Sequence, residues 1–185
     1  KCTDYEQVFS RTSKNSELYQ INQIEALYLT VVEQAMDLKD SFTKKRSYTK
    51  EQCESIVKQI EQKKTKENTV KYSIRQDGSI TFEISALLER IVKKGLEYSK
   101  KSDGRFDIAI EPVSSLWDFT VKKPTVPDEQ KIEKALAYVD YQKIALDDQK
   151  LTFQMPGMGI DLGGIAKGFI ADELKAYLEK KGVKS

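Results

Sequence analysis

The stretch NTVKYSIRQDGSITFEIS, residues 68–85, constrains the fold more than any other. Val70, Tyr72 and Ile74 alternate with polar residues, then Asp77-Gly78 interrupts, and Ile80, Phe82 and Ile84 resume the alternation. A two-residue period on both sides of an Asp-Gly pair predicts a β-hairpin. YQKIALDDQKLTFQM, residues 141–155, repeats the pattern and predicts a second hairpin turning at Asp147-Asp148. Two hairpins with helical patterns around and between them point to an α+β class, a mixed sheet with packed helices.

The helical patterns are separate units. Residues 1–9 read as the tail of a helix and 10–22 as a polar loop. Over 23–39, Ile24, Leu27, Tyr28, Val31, Val32, Ala35 and Leu38 share one side at helical spacing. Residues 39–50 read as a loop. Thr49 with Gln52 three residues on is a capping-box signature for a helix over 49–63. Ser85 caps a further helix to about Ser99, striped by Leu87, Leu88, Ile91, Val92 and Leu96. Pro112 permits a new helical turn ending near Trp117, and Asp128 opens a helix to about Ala137. A short strand is expected over 158–162, followed by a helix over 164–181.

Composition removes several kinds of chemistry. With 39% hydrophobic and 32% charged residues, the 185-residue chain can bury a core. A net charge of +2 is too small to suggest a nucleic-acid partner, and the Lys-rich runs are interleaved with Glu. Histidine is absent, so no imidazole base or ligand is supplied by this chain, and a metal would have to be held by oxygen. That favours Mg²⁺ or Ca²⁺ over Zn²⁺. Cys2 and Cys53 lie far apart in helical patterns and read as two partly buried thiols rather than a disulfide. No apolar run is long enough to span a membrane, and no signal peptide is visible. The first helix starts without a cap and the last stops where a strand is expected, so the chain reads as a piece of a longer one.

Three segments can carry chemistry. In GIDLGGIAKGFIADEL, residues 159–174, Asp161 leads into Gly163-Gly164 and then a helix, with Lys167 nearby. Glycines let backbone approach a ligand, and a helix N-terminus favours phosphate. The plainer interpretation is a strand–turn–helix with glycine used for packing, and the pattern alone favours it. SDGRFDIAI, residues 102–110, turns at Asp103-Gly104 and offers Phe106 as a wall for a planar ligand, or as core. SRTSKNSELYQIN, residues 10–22, can line a polar pocket or simply satisfy its own backbone.

In this order the segments resemble the FAD:protein FMN transferase family, ApbE. The resemblance rests on FSRTSKNSELYQIN, on S-x-G-x-F-D-x-x-x-x-P with L-W-x-F after it, on PDEQKIEKALAYVDYQKIALDD, and on D-L-G-G-x-x-K-G. It covers residues 1–22 and about 80–185, and it implies a T-fold-like architecture, incomplete here, with an inserted helical segment at about 24–75. The family's Met-Gly-Thr strand is not found. Its general base and most of its Mg²⁺ ligands lie in segments outside this sequence.

The resemblance implies that Thr12, Arg105, Phe106, Asp107, Asp161 and Lys167 bind FAD and that the Gly164 carbonyl faces Mg²⁺. It implies FAD as substrate and a target flavoprotein with an acceptor Thr or Ser, FMN being transferred and AMP released. FAD binding alone, or FAD hydrolysis on the same fold, is the alternative, and a purely structural domain is the third reading. The family also implies an extracytoplasmic lipoprotein on an N-terminal lipid anchor.

Overall fold

The computed structural model describes residues 2–35, 47–117 and 125–183. Helix α1 (Cys2–Phe9) is followed by a turn and then by α2 (Glu17–Ala35). α2 starts six residues before the expected 23, inside what reads as loop. Ser16 is the reason: its Oγ accepts the Tyr19 N–H at 3.1 Å, an N-cap geometry. The same hydroxyl donates to the Ser10 carbonyl, which folds the preceding turn back on the helix. The expected helical residues 36–39 lie outside the described residues.

Helix α3 (Lys50–Lys63) has the expected capping box at Thr49 and Gln52. Strands β1 (Tyr72–Ile74) and β2 (Ile80–Glu83) form the first hairpin, and α4 (Ala86–Lys101) follows with Ser85 as its cap. A 3₁₀ turn (Ile108–Ile110) runs into the short α5 (Glu111–Ser114). α6 (Glu129–Leu136) precedes a 3₁₀ turn (Tyr141–Lys143), the hairpin of β3 (Ile144–Asp147) and β4 (Lys150–Phe153), and finally α7 (Gly163–Lys180). The β3–β4 turn falls at Asp148-Gln149, one residue later than expected, where both residues have positive φ.

The four strands make one sheet in the order β1-β2-β4-β3, antiparallel in all three pairings. The α+β class is as expected. Strand periodicity decides which side chains enter the core. Ile80, Phe82, Leu151 and Phe153 share one face and have no exposure, while Thr81 and Thr152, paired in register, join hydroxyls at 2.9 Å on the other.

Against the apolar face lie α2 and α4. α2 contributes Leu18, Ile21, Ile24, Tyr28, Val31 and Val32, all with 0% exposure. α4 adds Leu88, Ile91 and Val92. Each such side chain is worth about 1.5–3 kcal/mol on burial, so α2 and the sheet dominate the core. Cys53 of α3 is buried as a free thiol; the Cys2 side chain lies outside the described residues.

The expected strand over 158–162 does not form. Met158, Ile160 and Leu162 are buried with the alternation of a strand. Among the described residues, however, their backbone bonds to no neighbouring strand. The Ile160 amide and carbonyl bond to the Asn22 side chain of α2, and the Asp161 N–H donates to the Ile108 carbonyl at 2.8 Å. Gly157 has φ +88°, and a Cβ there would sit 2.8 Å from Leu29 of α2, so only glycine lets the chain turn this close to the helix.

Candidate functional site

Asp161 stands at the entry to α7 and gathers residues from two distant segments. Its Oδ2 accepts from Arg11 Nη1 at 2.8 Å and from Ser114 Oγ at 3.0 Å. Arg11 Nη1 also reaches Ser114 Oγ at 2.5 Å. Its Oδ1 accepts the Gly163 N–H at 2.9 Å, occupying a free donor at the helix start. The Arg11 and Asp161 side chains are 30% and 21% exposed, so the pair is partly shielded from water and its charge-assisted bonds keep strength that surface pairs lose.

Glu111 lies beside this cluster at the start of α5. Its side chain presses on Gly159: a Cβ built there would lie 2.5 Å from Oε2. Burial pushes the Glu111 carboxyl up to about 7; the Arg11 charge opposes the rise and the Asp161 charge adds to it. The site therefore holds a carboxyl that changes charge near neutral pH next to a fixed ion pair.

On one side of the cluster is a cavity of about 570 Å³ between the end of α4 and the start of α7. Phe106 and Gly164 touch at its wall; a Cβ on Gly164 would lie 3.0 Å from the Phe106 ring. Phe106 is fixed by its own backbone, its N–H donating to Ser102 Oγ at 3.0 Å. Lys101 and Lys94 flank Tyr98 at the rim, with ammonium groups 5.9 and 5.7 Å from the ring centroid. An aromatic wall, two lysines and an exposed helix N-terminus suit a planar ligand with anionic groups.

On the other side a cavity of about 640 Å³ is lined by Arg11, Tyr19, Asn22, Glu111, Leu116 and Tyr138, among others. Both cavities are of the size that small-molecule sites occupy, roughly 300–1,000 Å³.

The residues singled out from sequence fall into two groups. Phe106 and Gly164 line one cavity, and Asp161 heads the adjoining cluster. Asp107 spends its carboxylate on backbone, accepting from Ala109 N–H at 2.7 Å and Tyr141 N–H at 3.0 Å, so it locks the turn that presents Phe106. Arg105 is exposed on the turn after α4, Lys167 on the first turns of α7, and Thr12 on the loop before α2.

The sequence reading missed Arg11, Ser114, Glu111 and Asn22. Arg11 sits next to Thr12 in a loop that also carries Lys14, and nothing local separates the two basic residues.

Among the described residues no group of three or more His, Cys, Asp or Glu side chains can hold a metal ion. The Asp161 oxygens are already bonded, which leaves the Gly164 carbonyl as one candidate donor. Mg²⁺ demands a near-octahedral oxygen set, so these residues do not by themselves make a Mg²⁺ centre. No helix among the described residues is long and apolar enough to cross a membrane.

Comparison with known proteins identifies the family. The model of the ApbE family matches residues 30–185. The chain is 40% identical over 83 residues to an FAD:protein FMN transferase of Klebsiella pneumoniae, covering 44% of this chain and 26% of that protein. To an FAD:protein FMN transferase of Haemophilus influenzae it is 28% identical over 150 residues, covering 76% of this chain and 43% of the relative. It thus spans less than half the length of these curated relatives. In fold it is similar to the flavin transferase ApbE of Vibrio cholerae, with a TM-score of 0.62 at 17% identity over 99% of this chain and 43% of that one. Apo flavinyl transferase ApbE of Pseudomonas stutzeri gives 0.60 at 18% identity, covering 99% and 42%. The ordered motifs, the α+β architecture and the family match agree: the chain belongs to the ApbE family.

Proposed function

We propose that this chain forms the FAD-facing part of a flavin transferase that moves FMN from FAD to a Thr or Ser hydroxyl of a target protein, releasing AMP. The observation that carries the reading is the joining of Arg11, Ser114 and Asp161 at the head of α7, beside the cavity walled by Phe106 and Gly164. Phe106 and the first turn of α7 line that cavity, and the Asp161 carboxylate is held at the entry to the same helix. The names of the relatives support the same substrate.

In the proposed reaction the acceptor oxygen bonds to the FMN-side phosphorus. The bridging P–O bond breaks, AMP leaves with that electron pair, and the hydroxyl proton passes to a base. This chain's residues bind and orient. Phe106 packs on the planar group, Lys101 and the start of α7 hold negative charge, and Asp161 is kept in one rotamer by Arg11 and Ser114. Mg²⁺ dependence belongs to the proposal, with the Gly164 carbonyl as a candidate ligand among the described residues. So does an extracytoplasmic site of action on an N-terminal lipid anchor.

The test is incubation of the full-length protein with FAD, Mg²⁺ and a flavoprotein acceptor domain. AMP release with covalent flavin on the acceptor is expected. AMP release that is unchanged when the acceptor is omitted would instead assign FAD hydrolysis to the same site. FAD binding with neither product would leave a flavin carrier.

A further inference from the structure

α2 does for residues 157–161 what a neighbouring strand does elsewhere. The Ile160 N–H donates to Asn22 Oδ1 at 3.1 Å, and Asn22 Nδ2 donates to the Ile160 carbonyl at 2.9 Å. One side chain thus satisfies both backbone groups of the residue before Asp161, across 138 positions of sequence. One turn further along α2, Glu25 Oε2 accepts the Gly157 N–H at 3.1 Å. From the opposite side the Asp161 N–H is fixed on the Ile108 carbonyl at 2.8 Å. The 160–161 peptide is therefore gripped from two directions, and the Asp161 carboxylate leaves it toward Arg11.

Arg11 itself belongs to the turn that Ser16 folds onto the start of α2. The same helix thereby governs both partners of the Arg11–Asp161 pair. The amide both donates and accepts here. An ionised aspartate lacks the donor and leucine lacks both.

We infer that Asn22 is a positioning residue for the ligand site: by clamping both backbone groups of Ile160 it fixes where the Asp161 carboxylate stands. It touches no reacting atom and acts through Asp161. The inference rests on the FAD reading above, since FAD is the ligand used to detect it.

Gln20 supplies the control. It lies on the same helix, is buried, and also bonds distant backbone, accepting the Thr69 N–H at 2.9 Å. That contact leads to the β1 side of the fold, away from Asp161. The experiment compares Asn22→Ala, Gln20→Ala and Asp161→Ala in the full-length protein. FAD affinity is read by flavin fluorescence, stability by thermal unfolding, and the Ile160 and Asp161 amides by hydrogen exchange.

Losing two hydrogen bonds that act on one ligand group is worth on the order of tenfold in affinity. Asn22→Ala is expected to weaken FAD binding by that much and to speed exchange at Ile160 and Asp161. Gln20→Ala is expected to lower stability comparably while leaving FAD affinity within about twofold of wild type. Equal loss of affinity in the two variants, or none in Asn22→Ala while Asp161→Ala weakens binding, overturns the inference and leaves the FAD reading standing. Unchanged affinity in Asp161→Ala overturns the site reading and the inference with it.

Discussion

Helices α2 and α7 are nearly equal in length, at 19 and 18 residues, and both are rich in apolar residues. Their surroundings differ completely. α2 has six large side chains with no exposure, and its polar residues Glu17, Gln20, Asn22 and Glu25 all reach distant backbone. Among the described residues none of α7's 18 is buried. α7 leans on the core through half-buried Ile165, Phe169 and Ile170, and through Arg90, whose guanidinium lies 5.6 Å from the Phe169 ring and pairs with Glu173. The difference separates scaffold from surface. α2 is sealed into the core, and α7 leaves Gly163 and Gly164 of its first turn exposed.

That contrast can be broken by mutation. Ile24→Ala on α2 is expected to cost about 2–5 kcal/mol, because it opens a cavity where neighbours cannot relax. Denaturant unfolding measures it, and a loss below 1 kcal/mol would contradict the scaffold role assigned to α2.

A smaller effect is expected from pH. Glu25 is fully buried, and burial raises its carboxyl well above the ordinary value of 4.5; the Gly157 N–H only partly offsets this. Its Oε1 has no hydrogen-bond partner among the described residues, which fits a neutral acid. A folded-state pKa above the unfolded one gives stability that is complete below about 4.5 and is lost as pH rises toward the folded value. Glu25→Gln is expected to flatten that decline as pH rises above 4.5. Glu111, at about 7, contributes in the same direction over 4.5 to 7. Thermal unfolding across pH reads both.

The smallest effect belongs to the outer face of α7. Leu178 is 47% exposed, and Leu178→Ser is expected to change stability by within about 0.5 kcal/mol. A larger loss in unfolding measurements would show that this face is more engaged than its exposure implies.

Much of the fold was legible because the deciding contacts are local. The Asp77-Gly78 hairpin, the Thr49–Gln52 capping box and the caps at Ser85 and Asp128 are each set within a few residues. The start of α2 was missed because Ser16 lies in a run of residues that suit turns equally well. The 158–162 strand was misjudged because its alternation is real while its hydrogen-bond partners are an asparagine side chain and a carbonyl from elsewhere. At the site, Asp161 and Gly164 stood out because glycine at a helix start has a local signature. Ser114, Glu111 and Arg11 matter only through where the fold brings them, and nothing in their immediate neighbours marks it.

The separation of those partners also bears on how the chain reaches its native state. Arg11 and Asp161 are 150 positions apart, Asn22 and Ile160 are 138 apart, and β2 must await β4, with Thr81 and Thr152 71 apart. Contacts of such high sequence separation form late, since the entropy of closing a long loop is lost before the contact returns any free energy. During synthesis α2 can assemble with α3 and the first hairpin well before Asp161 exists. The Arg11–Asp161 cluster therefore closes onto a scaffold that can already be in place.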